Sequence, residues 1–139
     1  MLSCPSSSSR IINFAKNEIF KKISYYFNLP LVKPTNIAIN ITHRCNLKCK
    51  TCTFWRHKQT DELSTDQWKR VFLDLKRWLG SFWLDISGGE PLLRRDLFAL
   101  TKFATSNHIK TRVITNGFLL NDFVINKLIE SGLDSLHIF

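Results

Sequence analysis

"KTRVITNGFLLNDFVINKLIESGLDSLHIF" occupies residues 110–139, and its reading decides the fold. Residues 110–117 are a β-rich run closed by an Asn-Gly pair, a turn signal. Residues 121–132 have helical spacing, with Asn121 placed to cap the helix and Gly132 to stop it. Residues 133–139 begin another β-rich run. A helix between two strands carries the chain back along the sheet, so the two strands run parallel.

The same rhythm extends upstream. "NIAINIT" (36–42) reads as a strand, and "STDQWKRVFLDLKRWLG" (64–80) as a helix capped by Ser64 or Thr65 and ended by Gly80. Its Trp68, Val71, Phe72, Leu75 and Leu79 share one face. "SFWLDIS" (81–87) is strand-like and runs into "GGEP", and "RRDLFALTKFATSNH" (94–108) is the next helix. The expected class is α/β, with about four parallel strands and flanking helices over residues 36–139. Periodicity alone does not separate a barrel from an open sheet.

Before this domain, residues 11–27 place Ile12, Ala15, Ile19, Ile23 and Tyr26 on one side of an amphipathic helix. That helix is expected to dock on the α/β domain, through a linker marked by Pro30 and Pro34 and ending at residue 35. Residues 1–10 are a Ser-rich leader, expected to be disordered.

The 44% hydrophobic share and eleven phenylalanines support a packed core rather than disorder. No run of about 18 apolar residues is present, and "MLSCPSSSSR" lacks the apolar stretch of a secretion signal. A cytoplasmic, reducing location is expected, where clustered cysteines bind metal or take part in catalysis. The net charge is +9, and residues 1–60 hold ten Lys/Arg against one acid. A basic segment of that kind attracts nucleic acid, anionic lipid or an anionic cofactor.

"CNLKCKTC" (45–52) places Cys45, Cys49 and Cys52 at i, i+4 and i+7. Soft sulfur ligands select iron–sulfur clusters, zinc or Cu(I). Arg44, Lys48 and Lys50 beside them favour thiolate and offset a negative cluster. Three thiolates satisfy three irons of a [4Fe–4S] cube and leave the fourth for a ligand that is not protein. Zinc held by the same cysteines with His57 or His43 is the competing metal, and with the basic first segment it would make a zinc-stabilised nucleic-acid-binding module.

The cysteine loop resembles that of the radical S-adenosylmethionine (SAM) enzymes. "SGGEP" (87–91) and "TNG" (115–117), each after the next strand, carry the resemblance across residues 36–139. It implies a partial (β/α) barrel, the N-terminal half of the family's core domain. It implies a [4Fe–4S] cluster on Cys45, Cys49 and Cys52, with SAM chelated to the fourth iron. Gly88, Gly89, Glu90 and Pro91 would line the place of the methionine part, their glycines letting backbone approach the ligand. Glu90 would hold the loop or accept from SAM's ammonium group, and Thr115 and Asn116 would complete the cofactor site. Reductive cleavage of SAM would give a 5′-deoxyadenosyl radical that abstracts hydrogen from a substrate. The implied partners are a flavodoxin or ferredoxin as low-potential electron donor, and a peptide or an RNA as substrate.

Some positions depart from the family's pattern. Thr51 stands where the family has a large apolar residue near adenine, with Phe54 or Trp55 as substitutes. Residues 133–139 are only the start of a fourth strand, so a catalytically incomplete, truncated fragment is the alternative expectation. Trp68, Trp78 and Trp83 are expected to pack, and Arg94 and Arg95 to form a solvated charge pair at a helix start.

Overall fold

The computed structural model describes residues 18–28, 32–56 and 61–139. The expected leader, the first part of the expected helix, Pro30 and His57 lie outside the described residues. The chain divides into two units, Met1–Pro34 and Thr35–Phe139. In the first, residues 18–27 are helical (α1), and Lys21 Nζ lies 2.7 Å from Glu18 Oε1, one helical turn away.

The second unit holds four strands: β1 (Asn36–Thr42), β2 (Trp83–Gly88), β3 (Lys110–Thr115) and β4 (Ser135–Ile138). Three helices alternate with them: α2 (Thr65–Leu79), α3 (Leu97–Ser106) and α4 (Asp122–Glu130). All strand pairs are parallel, in the order β1-β2-β3-β4. Sequential order is the arrangement of a (β/α) barrel; a doubly wound sheet reverses direction partway. The unit is therefore a partial barrel.

Each strand alternates between two chemically different faces. Ile37, Leu84 and Thr111 align across the sheet on one face, as do Ile39, Ile86, Val113 and Leu136. Leu84, Ile86 and Val113 are wholly buried there, in one core with Phe72 of α2, Leu97, Leu100 and Ala104 of α3, and Leu128 of α4. The other face carries Asn36, Asn40, Asp85, Ser87, Arg112 and His137. Ser87 donates to Asn40 at 3.0 Å, and Arg112 pairs with Asp85 at 3.2 Å.

Helix ends follow local chemistry. Ser64 and Gln67 form a reciprocal capping box on α2, and Gly80 ends that helix at φ 79°. Asn121 caps α4 by accepting from Val124. The sequence places the start of α3 at residue 94, but the helix begins at Leu97. Arg94 is extended, at φ −83° and ψ 122°, which turns its side chain inward. Asp96, at the N-cap, makes no cap bond because its carboxylate is taken by Arg94 and Thr65.

Candidate functional site

Parallel strands deliver their C-terminal loops to one end of the sheet, where α/β proteins build their sites. Here the loops after β1, β2 and β3 are "HRCNLKCKTCTFWR", "GEP" and "NG".

The β1–β2 pairing continues beyond the strands. Gly88 pairs with Thr42, then Gly89 N donates to Thr42 O and Glu90 N to Arg44 O, both at 2.8 Å. That approach leaves no room for a side chain. A Cβ on Gly88 would stand 2.2 Å from Thr42 O, and one on Gly89 would stand 2.3 Å from Arg44 O. Gly88 also has φ +134°, where L side chains are strained. Besides the close ligand approach expected of them, these glycines admit the backbone at the start of the cysteine loop.

Glu90 is wholly buried. Its carboxylate accepts from Leu92 N at 3.0 Å, Thr115 Oγ1 at 2.8 Å and Asn116 N at 2.9 Å. A side chain so enclosed ties the β2 loop to the β3 loop, the loop-holding one of the two roles expected of it. Pro91 is buried as the first residue of a short 3-10 turn, Pro91–Leu93. Thr115, 2% exposed, is occupied with Glu90 and with Gly117 N at 3.1 Å.

Asn116 joins the third loop to the first. Its Nδ2 donates to Asn46 Oδ1 at 2.8 Å and stands 3.9 Å from Cys45 Sγ. Of the six residues expected to bind cofactor, Gly88, Gly89 and Asn116 are partly exposed at the loop cluster, while Glu90, Pro91 and Thr115 are buried beneath it.

The three cysteines are free thiols; Cys45 and Cys52 are half-buried and Cys49 is exposed. Leu47 N donates to Cys45 Sγ at 3.4 Å, and Cys52 N donates to Cys49 O at 3.3 Å. Among the described residues, no three His, Cys, Asp or Glu side chains gather around one ion position. A single zinc, bonded to sulfur at about 2.3 Å, needs its donors gathered that closely. A cube in which each thiolate has its own iron does not, so three soft donors on one short loop fit a cluster. His43 of the zinc alternative packs edge-on against Phe54 at 5.2 Å. Trp55 donates to Cys49 O at 3.2 Å.

A second set of residues fastens the base of the cysteine loop, and sequence reading missed it. Arg94, with 6% of its side chain exposed, uses all five of its N–H donors. They reach Asp96 twice (2.9 and 2.8 Å), Ile41 O (2.9 Å), Leu63 O (3.1 Å) and Glu62 (3.5 Å). Glu62 in turn accepts from Thr42 Oγ1 and, at 3.3 Å, from Arg44. Arg94 is thus a buried hub, against the expected solvated pair. Its hydrogen bonds to Asp96 hold the Asp96 carboxyl below the ordinary value, and Asp96 holds the guanidinium above its own. Burial opposes ionisation of Glu62, but bonds from Thr42 and Arg44 and the charges of Arg44 and Arg94 outweigh it and lower its pKa. Apart from Asp96, two residues from Arg94, the partners lie 18–53 residues apart, so no local motif announces the set.

Comparison with known proteins agrees with this arrangement. The sequence model of the Radical SAM superfamily matches residues 39–139. The chain is 37% identical over 110 residues to the PqqA peptide cyclase of Rhizobium meliloti, covering 78% of this chain and 29% of that protein. It is likewise 37% identical over 114 residues to the PqqA peptide cyclase of Rhodopseudomonas palustris, covering 81% and 29%. The chain therefore spans less than a third of the curated relatives it matches. Among solved structures it resembles BtrN in complex with AdoMet and 2-DOIA (TM-score 0.69, 21% identity, 77% of this chain and 46% of that one). It also resembles Streptococcus suis SuiB bound to the precursor peptide SuiA (TM-score 0.62, 24% identity, 91% and 28%). At those identities the structural likeness speaks for the fold. Among the described residues, no helix is long and apolar enough to cross a membrane.

Proposed function

The chain belongs to the Radical SAM superfamily, and we propose that its three-loop end holds a [4Fe–4S] cluster and binds SAM for reductive cleavage. The observation that carries this is the fastening of three separate loops to one another: Gly89 and Glu90 bond to the base of the cysteine loop, and Asn116 bonds to Asn46 beside Cys45.

Cys45, Cys49 and Cys52 are the proposed cluster ligands. When bound, the cluster supplies an open iron for SAM and the electron that splits its sulfonium C–S bond. The chain's own residues have separable tasks. Gly88 and Gly89 let the β2 loop seat against the cysteine loop. Glu90 and Thr115 hold the β2 and β3 loops at a fixed separation from below. Gly88, Gly89 and Asn116 present the partly exposed surface that meets SAM, and the backbone and amide groups there are suited to a polar amino-acid moiety. Leu47 N and Asn116 Nδ2 both direct N–H groups toward Cys45 Sγ, at 3.4 and 3.9 Å.

A peptide is the substrate class that the relatives support, since two of them are named peptide cyclases and SuiB is described with a precursor peptide. The polar sheet face bearing Asn40, Ser87 and His137 lies just below the three loops, and it is the proposed substrate wall.

The test is anaerobic purification, reconstitution with iron and sulfide, reduction, and an EPR spectrum with and without SAM. A reduced [4Fe–4S] signal that changes on adding SAM is the expected result. Stoichiometric zinc without sulfide would replace this function with the zinc-stabilised module, and a cluster signal indifferent to SAM would mark an incomplete cofactor site.

A further inference from the structure

From the geometry of the cysteine loop we infer that Lys48, Trp55 and Arg56 form the docking face for an acidic, low-potential electron-carrier protein; the inference rests on the proposed cluster site.

Of the three cysteines, Cys49 is the exposed one. The indole of Trp55 is pinned beside it, donating to Cys49 O at 3.2 Å. Two cations flank that ring: Arg56 Cζ lies 5.0 Å from its centroid and Lys48 Nζ 5.9 Å. Lys48, Lys50 and Arg56 are all exposed. Residues 43–56 contain four Lys/Arg and no carboxylate. Only Arg44 of these four takes part in an ion pair among the described residues, with Glu62.

A cation over an exposed aromatic ring is worth only about 0.5–1 kcal/mol. That explains how Trp55 is held, but not why three cations with no ion pair among the described residues gather on one short loop, where they repel one another. Some other cations in this unit do have acidic neighbours, as in Lys69–Asp66, Arg77–Asp74 and Lys127–Glu130. A positive patch beside the most exposed of the three cysteines attracts an anionic partner to the place where an electron must enter. Steering of this kind raises association rates by about 10–10³ and fades as salt screens it. The patch lies against the proposed electron acceptor, which favours a redox protein over a nucleic acid. In the step itself one electron leaves the carrier, which is oxidised, and enters the cluster, which is reduced; no bond breaks.

The experiment mixes the reconstituted chain with reduced plant-type [2Fe–2S] ferredoxin in a stopped-flow instrument and follows ferredoxin oxidation at low and high salt. Photoreduced deazaflavin, a small reductant that needs no docking face, is run in parallel. For the unsubstituted chain the ferredoxin rate should fall about tenfold or more as salt rises. The variant Arg56→Glu should lose severalfold at low salt, with deazaflavin reduction and iron content unchanged. A rate indifferent to salt and to charge reversal overturns the docking face. Equal slowing with deazaflavin also overturns it, and assigns the cations to the cluster's own potential. Competition by an RNA homopolymer stronger than by oxidised ferredoxin overturns it in favour of a nucleic-acid face. If Arg56→Glu fails to load, the salt dependence of the unsubstituted chain decides. A chain that takes up no cluster overturns the proposed function as well, whereas a loaded chain whose reduction ignores salt overturns this inference alone.

Discussion

Replacing Arg94 by alanine should cost about 3–5 kcal/mol, the usual penalty for breaking a buried ion pair from one side. The guanidinium is 6% exposed and its two bonds to Asp96 are 2.9 and 2.8 Å long. Its removal also strands the carbonyls of Ile41 and Leu63, which it reaches at 2.9 and 3.1 Å. Asp96 is 23% exposed and keeps Thr65 as a donor at 2.7 Å, so the lower half of that range is expected. A domain of this size has a total stability of about 5–15 kcal/mol, which makes the loss large. Arg94→Lys retains charge but brings three donors in place of a five-donor fork, and should cost about half as much. Urea unfolding at neutral pH, followed by tryptophan fluorescence, measures both. The acid limb gives a second check. Asp96 and Glu62 have folded pKa values below their ordinary ones. Their contribution is therefore complete above about pH 4–5 and is lost as pH falls through the lowered values. The gap between the unsubstituted chain and Arg94→Ala should narrow over that fall. A gap under about 1 kcal/mol at neutral pH, or one that stays constant into acid, would refute the hub.

Four further outcomes are expected. Gly89→Ala forces a Cβ to 2.3 Å from Arg44 O; it should lower stability in urea by at least about 1–3 kcal/mol and reduce iron uptake, and unchanged values would show that the loop contact is dispensable. Cys45→Ser, Cys49→Ser and Cys52→Ser should each bring bound iron and sulfide close to background after reconstitution, a result that full loading of any one variant would contradict. Asn116→Ala removes the bond to Asn46 at 2.8 Å; cluster content should hold while the EPR response to SAM weakens, and an undiminished response would exclude Asn116 from the cofactor site. Phe72→Ala opens a cavity in a wholly buried position; a loss of about 3–5 kcal/mol should appear in the urea midpoint, and a small change would mean the core collapses around it.

Much of the molecule was legible in residue order. Ser64 and Gly80, Asn121 and Gly132 punctuate helices through their own side chains or their own φ, so the element sequence could be read locally. The cysteine spacing, SGGEP and TNG likewise lie on contiguous stretches. Where reading failed, the deciding partner was remote. Arg94 looked like a solvated cation at a helix start, because Ile41, Glu62 and Leu63 are 31 or more residues away. That burial in turn delays α3 by three residues. Gly88 and Gly89 read as room for a ligand, and a further demand for glycine there, from Thr42 and Arg44 on a different strand and its loop, was invisible in the sequence.

What the sequence determined by itself, then, was chemistry and local geometry: an alternating α/β chain, three thiols on one loop, and two glycine-containing turns after later strands. Two things waited for the tertiary structure. Strand order made the sheet a partial barrel, since hydrophobic periodicity records which face of a strand is buried but not which strand lies beside it. The joining of three loops at one end, through Glu90 and Asn116, was the other, because hydrogen bonds between groups 25–70 residues apart exist only once the sheet has brought the strand ends together.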